Sequence, residues 1–367
     1  MLAHSMRLHA QLAPPLVLGA RVAYQRQFSN LISVRELSDG RVLANDGREH
    51  QIYVLDAVGK TFELVGREGR GPNEYIWTGQ LFALGGDSSL TADLAQRRWL
   101  VLSGAKIVRT IPSDHVAIVA TSALILGADR NGNVLATIKA NVPPGISRTS
   151  SADSVAIVSV SRSRGTVDTL ARIRQQPKQS TTKVNKDGGV VAFSWFPLGT
   201  VFGLELNEAA VMFNSGDIAI VRVEPFRVDH RGSRGEWTPG KPLPIPRIRM
   251  DQRQRDGYVS RNREALAEMR VPPPTARDFP EFMPPFVNPT TNVLPTPEGF
   301  IFIETLGHTD LQSRLYVVVN AAGNLVGQLI LPSSDKVIGF GRNSMYINST
   351  NSDGVMTLSK RAWKTAK

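Results

Sequence analysis

Cysteine is absent from this chain of 367 residues. Its absence excludes disulfide bonds, thiolate metal ligands and cysteine nucleophiles. The six histidines are scattered along the sequence, and neither an H-E-x-x-H nor a G-x-S-x-G motif occurs. The sequence therefore predicts no catalytic residue, no metal ligand set and no cofactor.

Long hydrophobic runs are absent too. A transmembrane helix needs about 18 or more consecutive apolar residues, and no such run occurs. The N-terminal apolar patch Leu12–Leu18 is interrupted by Pro14 and Pro15. It therefore lacks the continuous apolar region of a signal peptide. We expect no transmembrane segment.

Positive charge dominates what is present. The formal net charge is +11 and the isoelectric point is about 10.1. This excess of positive charge favours an anionic partner. The candidates are nucleic acid, an anionic membrane surface and an acidic protein surface. A basic surface with no specific partner explains the charge equally well, because net charge alone does not define a site.

The stretch Leu31–Tyr75 shows the repeating unit of the chain most clearly. Turn residues such as Ser38-Asp39-Gly40 separate short segments rich in β-branched and aromatic residues. Four such segments follow one another: Leu31–Leu37, Arg41–Asn45, Gln51–Asp56 and Thr61–Val65. Because no helical period separates them, they indicate one four-stranded blade of a β-propeller.

A glycine-rich segment ends this unit, and its structural motif consists of Gly66, Gly69, Gly71 and Pro72. It lacks the Gly-Lys-Ser/Thr ending of a phosphate-binding loop, so we interpret it as a connection between blades. Together with Asp39-Gly40-Arg41 and Tyr53-Val54-Leu55-Asp56, it resembles the first blade of bacterial six-bladed β-propellers of the broad NHL/TolB-like class. Asn73 stands where a glycine is more usual in that class. The resemblance implies an extracytoplasmic, periplasmic location, although the missing signal peptide leaves the cytoplasm open.

Further copies of the unit predict an all-β fold: a six-bladed β-propeller of four-stranded antiparallel blades with one short helical excursion. The later blades are expected at Leu81–Ile111, Leu124–Ile173, Phe193–Val228, Pro284–Leu331 and Val337–Trp363. Residues 1–30 form an N-terminal extension, in which Leu16–Tyr24 is the closing strand of the last blade. The propeller spans residues 31–364, and residues 365–367 form a tail. The polar stretch Gln175–Gly188 is predicted to be a surface loop.

One part of the propeller, residues 229–285, does not have the blade pattern. It contains a predicted helix at Asp251–Arg270. It overlaps Arg227–Arg263, the basic segment, which holds ten basic and four acidic residues. Arginine-rich loops on a rigid scaffold are typical of docking surfaces. The predicted docking residues are Arg231, Arg234, Arg247, Arg249, Arg253 and Arg255, beside the aromatic residues Phe279, Phe282 and Phe286, which either anchor a partner or cover the core.

These features predict a non-catalytic binding or scaffolding propeller, an extrinsic subunit that docks on a membrane-associated complex or another acidic partner through protein–protein contacts. Nucleic acid is disfavoured, since few aromatic residues are interleaved with the arginines. The alternative is a propeller hydrolase or lyase with a metal or carboxylate site in the central channel. That alternative requires acidic or histidine side chains to converge on the axis, and the eligible carboxylates are Asp46, Asp56, Asp93, Asp129, Asp217 and Glu304.

Overall fold

The computed structural model describes most of the chain with several gaps. The described residues are 13–112, 124–138, 154–161, 164–174, 180–184, 190–194, 208–233, 235–261, 279, 281–283, 285–286, 291–306 and 312–366.

The first blade follows an N-terminal strand, β1 (Val17–Phe28). Its four antiparallel strands are β2 (Leu31–Glu36), β3 (Val42–Asp46), β4 (Gln51–Leu55) and β5 (Phe62–Val65). The turn between β2 and β3 needs a glycine, because Gly40 has a φ of +84°. The segments rich in β-branched and aromatic residues thus form the strands that the sequence predicts.

A short parallel pair, β6 (Arg67–Glu68) and β7 (Glu74–Tyr75), links the first blade to the second. The second blade has strands β8 (Phe82–Ala83), β9 (Ser88–Asp93), β10 (Arg98–Ser103) and β11 (Lys106–Pro112). The third has strands β12 (Leu124–Ala128), β13 (Asn133–Ile138), β14 (Ser154–Ser161) and β15 (Thr166–Arg174). Each blade is a four-stranded antiparallel sheet.

Two expectations for the next stretch are wrong. Ser180–Val184 is a strand, β16, inside the predicted loop Gln175–Gly188. It pairs with β17 (Val190–Ser194), so the residues around Phe193 do not begin the fourth blade. The Thr and Val side chains of both segments favour extended backbone, which explains why they pair locally as a hairpin.

The fourth blade consists of β18 (Ala209–Met212), β19 (Ile218–Val223), β20 (Phe226–Arg231) and β21 (Trp237–Thr238). Its outermost strand therefore lies within the region 229–285 that the sequence assigns to an excursion from the blades. A helix, α1 (Gln252–Arg261), follows. Its predicted continuation to Arg270 lies outside the described residues. In the described part of the chain, no helix has the length and apolar character needed to cross a membrane.

The fifth blade has strands β22 (Val293–Pro295), β23 (Ile301–Thr305), β24 (Ser313–Val319) and β25 (Leu325–Pro332). The sixth has β26 (Asp335–Gly341), β27 (Ser344–Thr350) and β28 (Met356–Lys364). The N-terminal β1 completes it, because β1 pairs with β28 from Val17↔Lys364 to Phe28↔Met356. The predicted six-bladed propeller is thereby confirmed, with its ring closed between the two ends of the chain.

A second contact between the first and last blades lies beside this closure. The Glu36 carboxylate on β2 accepts hydrogen bonds from Tyr346 and, at 3.2 Å, from the hydroxyl of Ser344. The ammonium of Lys360 lies 2.8 Å from the same oxygen. Burial alone would raise the pKa of Glu36, but the bonds from Lys360, Tyr346 and Ser344 outweigh burial and lower it.

Apolar side chains fill the space between neighbouring blades and so form the core. Val211, Val221, Val293 and Val317, for example, pack together between the fourth and fifth blades. The first strand of each blade faces a central cavity, and these inner strands are β2, β8, β12, β18, β22 and β26. We call the disc face at which the inner strands begin the upper face, and the opposite face the lower face.

Candidate functional site

The glycine-rich connection Gly66–Pro72 holds its own carboxylate. The Gly71 N–H donates to Glu74 Oε2 at 2.7 Å, and Arg67 Nε donates to Glu74 Oε1 at 2.7 Å. These hydrogen bonds lower the pKa of Glu74, and the bond from the Gly71 N–H has the largest effect. A Cβ at Gly69 would lie 2.1 Å from Glu74 Oε2, so the loop closes tightly around this side chain. An internal carboxylate therefore occupies the anion-binding geometry of the loop.

Arg98 ties the same connection to the second blade. Its guanidinium donates to the carbonyls of Glu74 at 2.6 Å and Gly71 at 3.1 Å, and to Asp93 Oδ2 at 3.2 Å. The Thr110 hydroxyl donates to the carbonyl of Pro72 at 3.0 Å. The motif Gly66, Gly69, Gly71 and Pro72 thus lies in a loop that joins two blades.

The first part of the basic segment is occupied by internal ion pairs. Arg227 Nε lies 2.7 Å from the buried Asp229, which also pairs with Arg222 at 3.0 Å. Arg231 ends β20 and is half-buried. Arg234 lies outside the described residues. Arg227 is thus engaged inside the protein, and the most exposed arginines with known burial lie further along the segment.

Arg247 and Arg249 lie on a short extended strip that pairs with the residues around Phe282. The Met250 N–H donates to the carbonyl of Glu281 at 2.9 Å, and the Met283 N–H donates to the carbonyl of Ile248 at 2.8 Å. We call Arg247–Met250 and 281–283 together the basic strip. These backbone bonds fix two arginines and an aromatic residue on one small structural unit.

The arginines of the basic strip point into solvent. The side chains of Arg247 and Arg249 are 62% and 76% exposed, and each lies 3.2 Å from an exposed carboxylate, Glu224 or Glu281. Arg247 Cζ lies 4.2 Å from the centre of the Phe282 ring. Exposed ion pairs contribute little to stability, about 0–1 kcal/mol, so either arginine can exchange its carboxylate at small cost.

Helix α1 carries two further predicted docking arginines, Arg253 and Arg255. Arg253 is exposed, whereas Arg255 is half-buried and donates to the carbonyl of Met250 at 3.1 Å. Met250 is buried against the half-buried Phe279 and Met283. Phe286 is only 2% exposed and packs in the core beside Val211, so of its two possible roles it covers the core.

The basic strip is anchored on the upper face. The Leu243 N–H donates to the carbonyl of Phe226, just after the upper end of β19. The Leu306 N–H, just after the upper end of β23, donates to the carbonyl of Pro285. Both hydrogen bonds lie at the upper face, because β19 and β23 run from the lower face to the upper face. The strip therefore extends along the same face as the upper end of the central cavity.

The candidate carboxylates do not converge on the axis. Asp46 accepts the N–H of Ser29 at 2.7 Å, and Asp129 accepts the N–H of Asn133 at 2.8 Å. Glu304 pairs with Arg314, and Asp93 with Arg98. Asp56 and Asp217 bind the backbone of turns, at Lys60 and Ser233. Among the described residues, no group of three His, Asp or Glu side chains is placed to hold a metal ion.

The central cavity has a volume of about 460 Å³. Each inner strand contributes apolar side chains to its wall, for example Val34, Phe82, Ile125, Met212, Leu294 and Ile338. Its charged lining residues in the described part of the chain are Arg35 and Lys336, and no Asp, Glu or His lines it there. The described lining thus lacks the acidic convergence that a hydrolase or lyase site would need.

Lys336 and Asn348 form a polar pair on this wall that sequence reasoning missed. They face each other directly across β26 and β27, so both side chains project from the same side of the sheet. Burial lowers the pKa of Lys336, the charge of Glu304 opposes this change, and that of Arg314 adds to it. The only signal in the sequence is a lysine at the second position of an inner strand.

The sequence matches neither a family model nor a curated protein. Among solved structures, a candidate exported protein from Bacteroides fragilis is 12% identical, with a TM-score of 0.50 and 96% of each chain covered. A member of the DUF4221 family from Bacteroides vulgatus is 10% identical with a TM-score of 0.52, covering 97% of this chain and 100% of that one. A calcium-binding regucalcin from Agrobacterium tumefaciens is 11% identical with a TM-score of 0.42 and 97% of each chain covered. The first two similarities show a shared propeller fold.

Proposed function

We propose that this protein is a non-catalytic binding propeller, an extrinsic subunit that docks by its basic strip on an acidic protein surface of a membrane-associated assembly. The observation that carries the proposal is the pair Arg247 and Arg249, which are held on a fixed backbone and are largely exposed. Phe282, stacked under Arg247, adds an aromatic surface to the same strip. Arginine and aromatic side chains together are the usual composition of interface centres.

The electrostatics of the strip support a protein partner with exposed carboxylates. A guanidinium binds a carboxylate with two parallel hydrogen bonds, and stacking on Phe282 holds the plane of Arg247 for such a contact. The intramolecular pairs with Glu224 and Glu281 are exposed, so an acidic partner can replace them. The net charge of +11 would accelerate association with an acidic surface.

We also propose that the protein works outside the cytoplasm, in the periplasm, at the periphery of a membrane. The similarity in fold to the candidate exported protein of Bacteroides fragilis supports this location. Fractionation of native cells tests it. The protein should appear in the periplasmic fraction or be released from membranes by high salt, and recovery only with cytoplasmic markers would contradict the location.

The docking proposal is tested by capture of partners from native membranes at low and high salt. The wild-type protein should retain a defined partner at low salt and lose most of it at high salt, because salt screens exposed charges. The double variant Arg247→Glu/Arg249→Glu should reduce the amount of captured partner by about tenfold or more, since two attractive contacts become repulsive.

A matched control makes the same charge change elsewhere. Lys106 and Arg109 are exposed on β11, the outermost strand of the second blade. The variant Lys106→Glu/Arg109→Glu should retain the partner as the wild-type does. Equal loss in both variants would mean that net charge alone drives capture. Capture of nothing at either salt would refute the docking function.

A further inference from the structure

We propose that the central cavity binds a small organic acid, a medium-chain 2-hydroxy carboxylate, with its carboxylate on Lys336, its hydroxyl on Asn348 and its alkyl chain along the apolar wall. The cavity of about 460 Å³ falls within the range of about 300–1,000 Å³ that small-molecule sites occupy. This site is separate from the basic strip and does not depend on the docking function.

The apolar walls of the cavity favour a ligand with an alkyl chain. Every inner strand supplies at least one apolar side chain, and Phe82, Met212 and Leu294 come from three different blades. Burial of an alkyl chain against such walls is favourable, and the gain grows with each CH₂ group that leaves water. A chain of several carbons therefore gains more from this cavity than a small polar ion does.

Lys336 supplies a cation that no described residue pairs. Its ammonium makes no hydrogen bond or ion pair with any described residue, although it lines the cavity and is half-buried. The nearby charges of Glu304 and Arg314 are paired with each other at 2.5 Å, which leaves Lys336 without a counter-charge of its own. A partly desolvated ammonium in apolar surroundings is stabilised by an anionic ligand.

Asn348 supplies an acceptor beside that cation. It is 6% exposed and lines the cavity, and its Oδ1, which protein atoms enclose, has no hydrogen-bond partner in the described part of the chain. Its Nδ2 donates to Met356 Sδ at 3.2 Å, which orients the amide. A buried acceptor without a donor destabilises the folded protein, so a rotation of the amide that brings Oδ1 to a ligand hydroxyl at the cavity wall is favoured.

The two residues are direct neighbours on one side of the sheet, so one ligand can reach both side chains. Directly opposite residues on antiparallel strands have Cβ atoms about 4.5–5.5 Å apart. Lys336 and Asn348 are such a pair. A 2-hydroxy acid carries its carboxylate and hydroxyl on neighbouring carbons, so it can satisfy both side chains at once.

Arg35, the other charged lining residue, helps to determine the orientation of the ligand in the cavity. Its Nη2 donates to the carbonyl of Gly86 at 2.8 Å, and its Nη1 donates to the carbonyl of Glu36. Two backbone carbonyls near the lower end of β2 therefore engage Nη1 and Nη2, while Nε has no hydrogen-bond partner among the described residues. The ligand carboxylate accordingly binds at the upper end, where β26 begins with Asp335 and Lys336.

Calorimetric titration of the full chain with 2-hydroxyoctanoate, octanoate and octan-1-ol tests the site. The wild-type protein should bind 2-hydroxyoctanoate about fivefold more tightly than octanoate, the difference expected for one buried hydrogen bond. Lys336→Met should weaken both acids about tenfold or more, because it removes the cation and keeps the apolar stem, and should leave octan-1-ol unchanged. Asn348→Leu should abolish the preference for the hydroxy acid.

Two controls keep the test decisive. Lys106→Met makes the same change at an exposed site and should bind like the wild-type. If either cavity variant fails to fold, the wild-type protein alone gives the answer by mass spectrometry of lysine acetylation. Octanoate should then protect Lys336, and not Lys106, from acetic anhydride. The proposal would be overturned if Lys336→Met and the wild-type bound the acids with equal affinity, or if no acid bound. Failure of octanoate to protect Lys336 would overturn it as well.

Discussion

Gly69 illustrates how one residue can determine a connection between blades. Its φ of +153° is one that side chains rarely adopt, and its missing Cβ leaves room for the Glu74 carboxylate. Glycine is required here for both backbone conformation and close approach. Replacement should therefore strain the loop in two ways.

We predict that Gly69→Ala lowers the free energy of unfolding more than Gly86→Ala does, by about 1–3 kcal/mol. Gly86 is the control, because its φ is also positive at +59° but a Cβ there would meet nothing within 4 Å. Urea unfolding of both variants measures the difference. Equal losses would show that the clash with Glu74 relaxes at no cost.

Glu36 makes stability depend on pH. Because its pKa in the folded protein is lowered from the ordinary value of 4.5, its contribution is present above that value and is lost as the pH falls through the folded pKa. We predict that the wild-type protein loses stability between about pH 5 and pH 3, and that Glu36→Gln is less stable at pH 7 and loses less over this range. Thermal unfolding across the range measures both slopes, and parallel slopes would contradict the assignment to Glu36.

At the scale of elements, strongly patterned strands were predictable, whereas the two-residue outermost strand of the fourth blade, β21, was not. Strands such as β4 and β27 carry runs of β-branched and aromatic residues between turn signals. Trp237–Thr238 has only two residues, too few for an alternating pattern, so β21 was assigned to the excursion. The pairing of β16 with β17 depends on a choice between partners that a single sequence does not contain.

The link between the first and second blades depends on Arg98, which donates to Asp93 and to carbonyls of the connection. We predict that Arg98→Met lowers the free energy of unfolding by about 2–4 kcal/mol, because the buried Asp93 loses its cation and backbone carbonyls lose their donor. Arg97→Met is the matched control, since Arg97 is the exposed neighbour. Chemical denaturation distinguishes the two, and similar small losses would refute the role.

At the scale of the whole molecule, ring closure rests on the pairing of β1 with β28. Val17 and Lys364 are opposite each other near the ends of these strands, and both are exposed. We predict that Val17→Cys/Lys364→Cys forms a disulfide that raises the free energy of unfolding by about 2–4 kcal/mol, because it restricts a very long loop in the unfolded chain. Unfolding with and without a reducing agent measures the gain, with the reduced variant as the control. No difference would mean that the ring does not open in the unfolding transition.

The two candidate sites could be predicted from the sequence to different extents. The basic strip was predictable as a region, since arginines concentrate where the blade pattern stops. Which arginines remain exposed was not, because Arg227 and Arg255 are engaged by Asp229 and by a backbone carbonyl. Lys336 was not predictable at all. Its place on the axis depends on strand register and on closure of the ring, which are properties of the assembled fold.

The closure also has a consequence for biosynthesis. β1 leaves the ribosome long before its partner β28, because the other strands of the propeller lie between them in the sequence. Until β28 has been synthesised, β1 therefore remains an unpaired edge of 12 residues, a template for pairing with other chains. Arg21 and Arg26 on this strand are the kind of charged side chain that discourages such pairing. The last blade thus becomes complete only after β28 has left the ribosome.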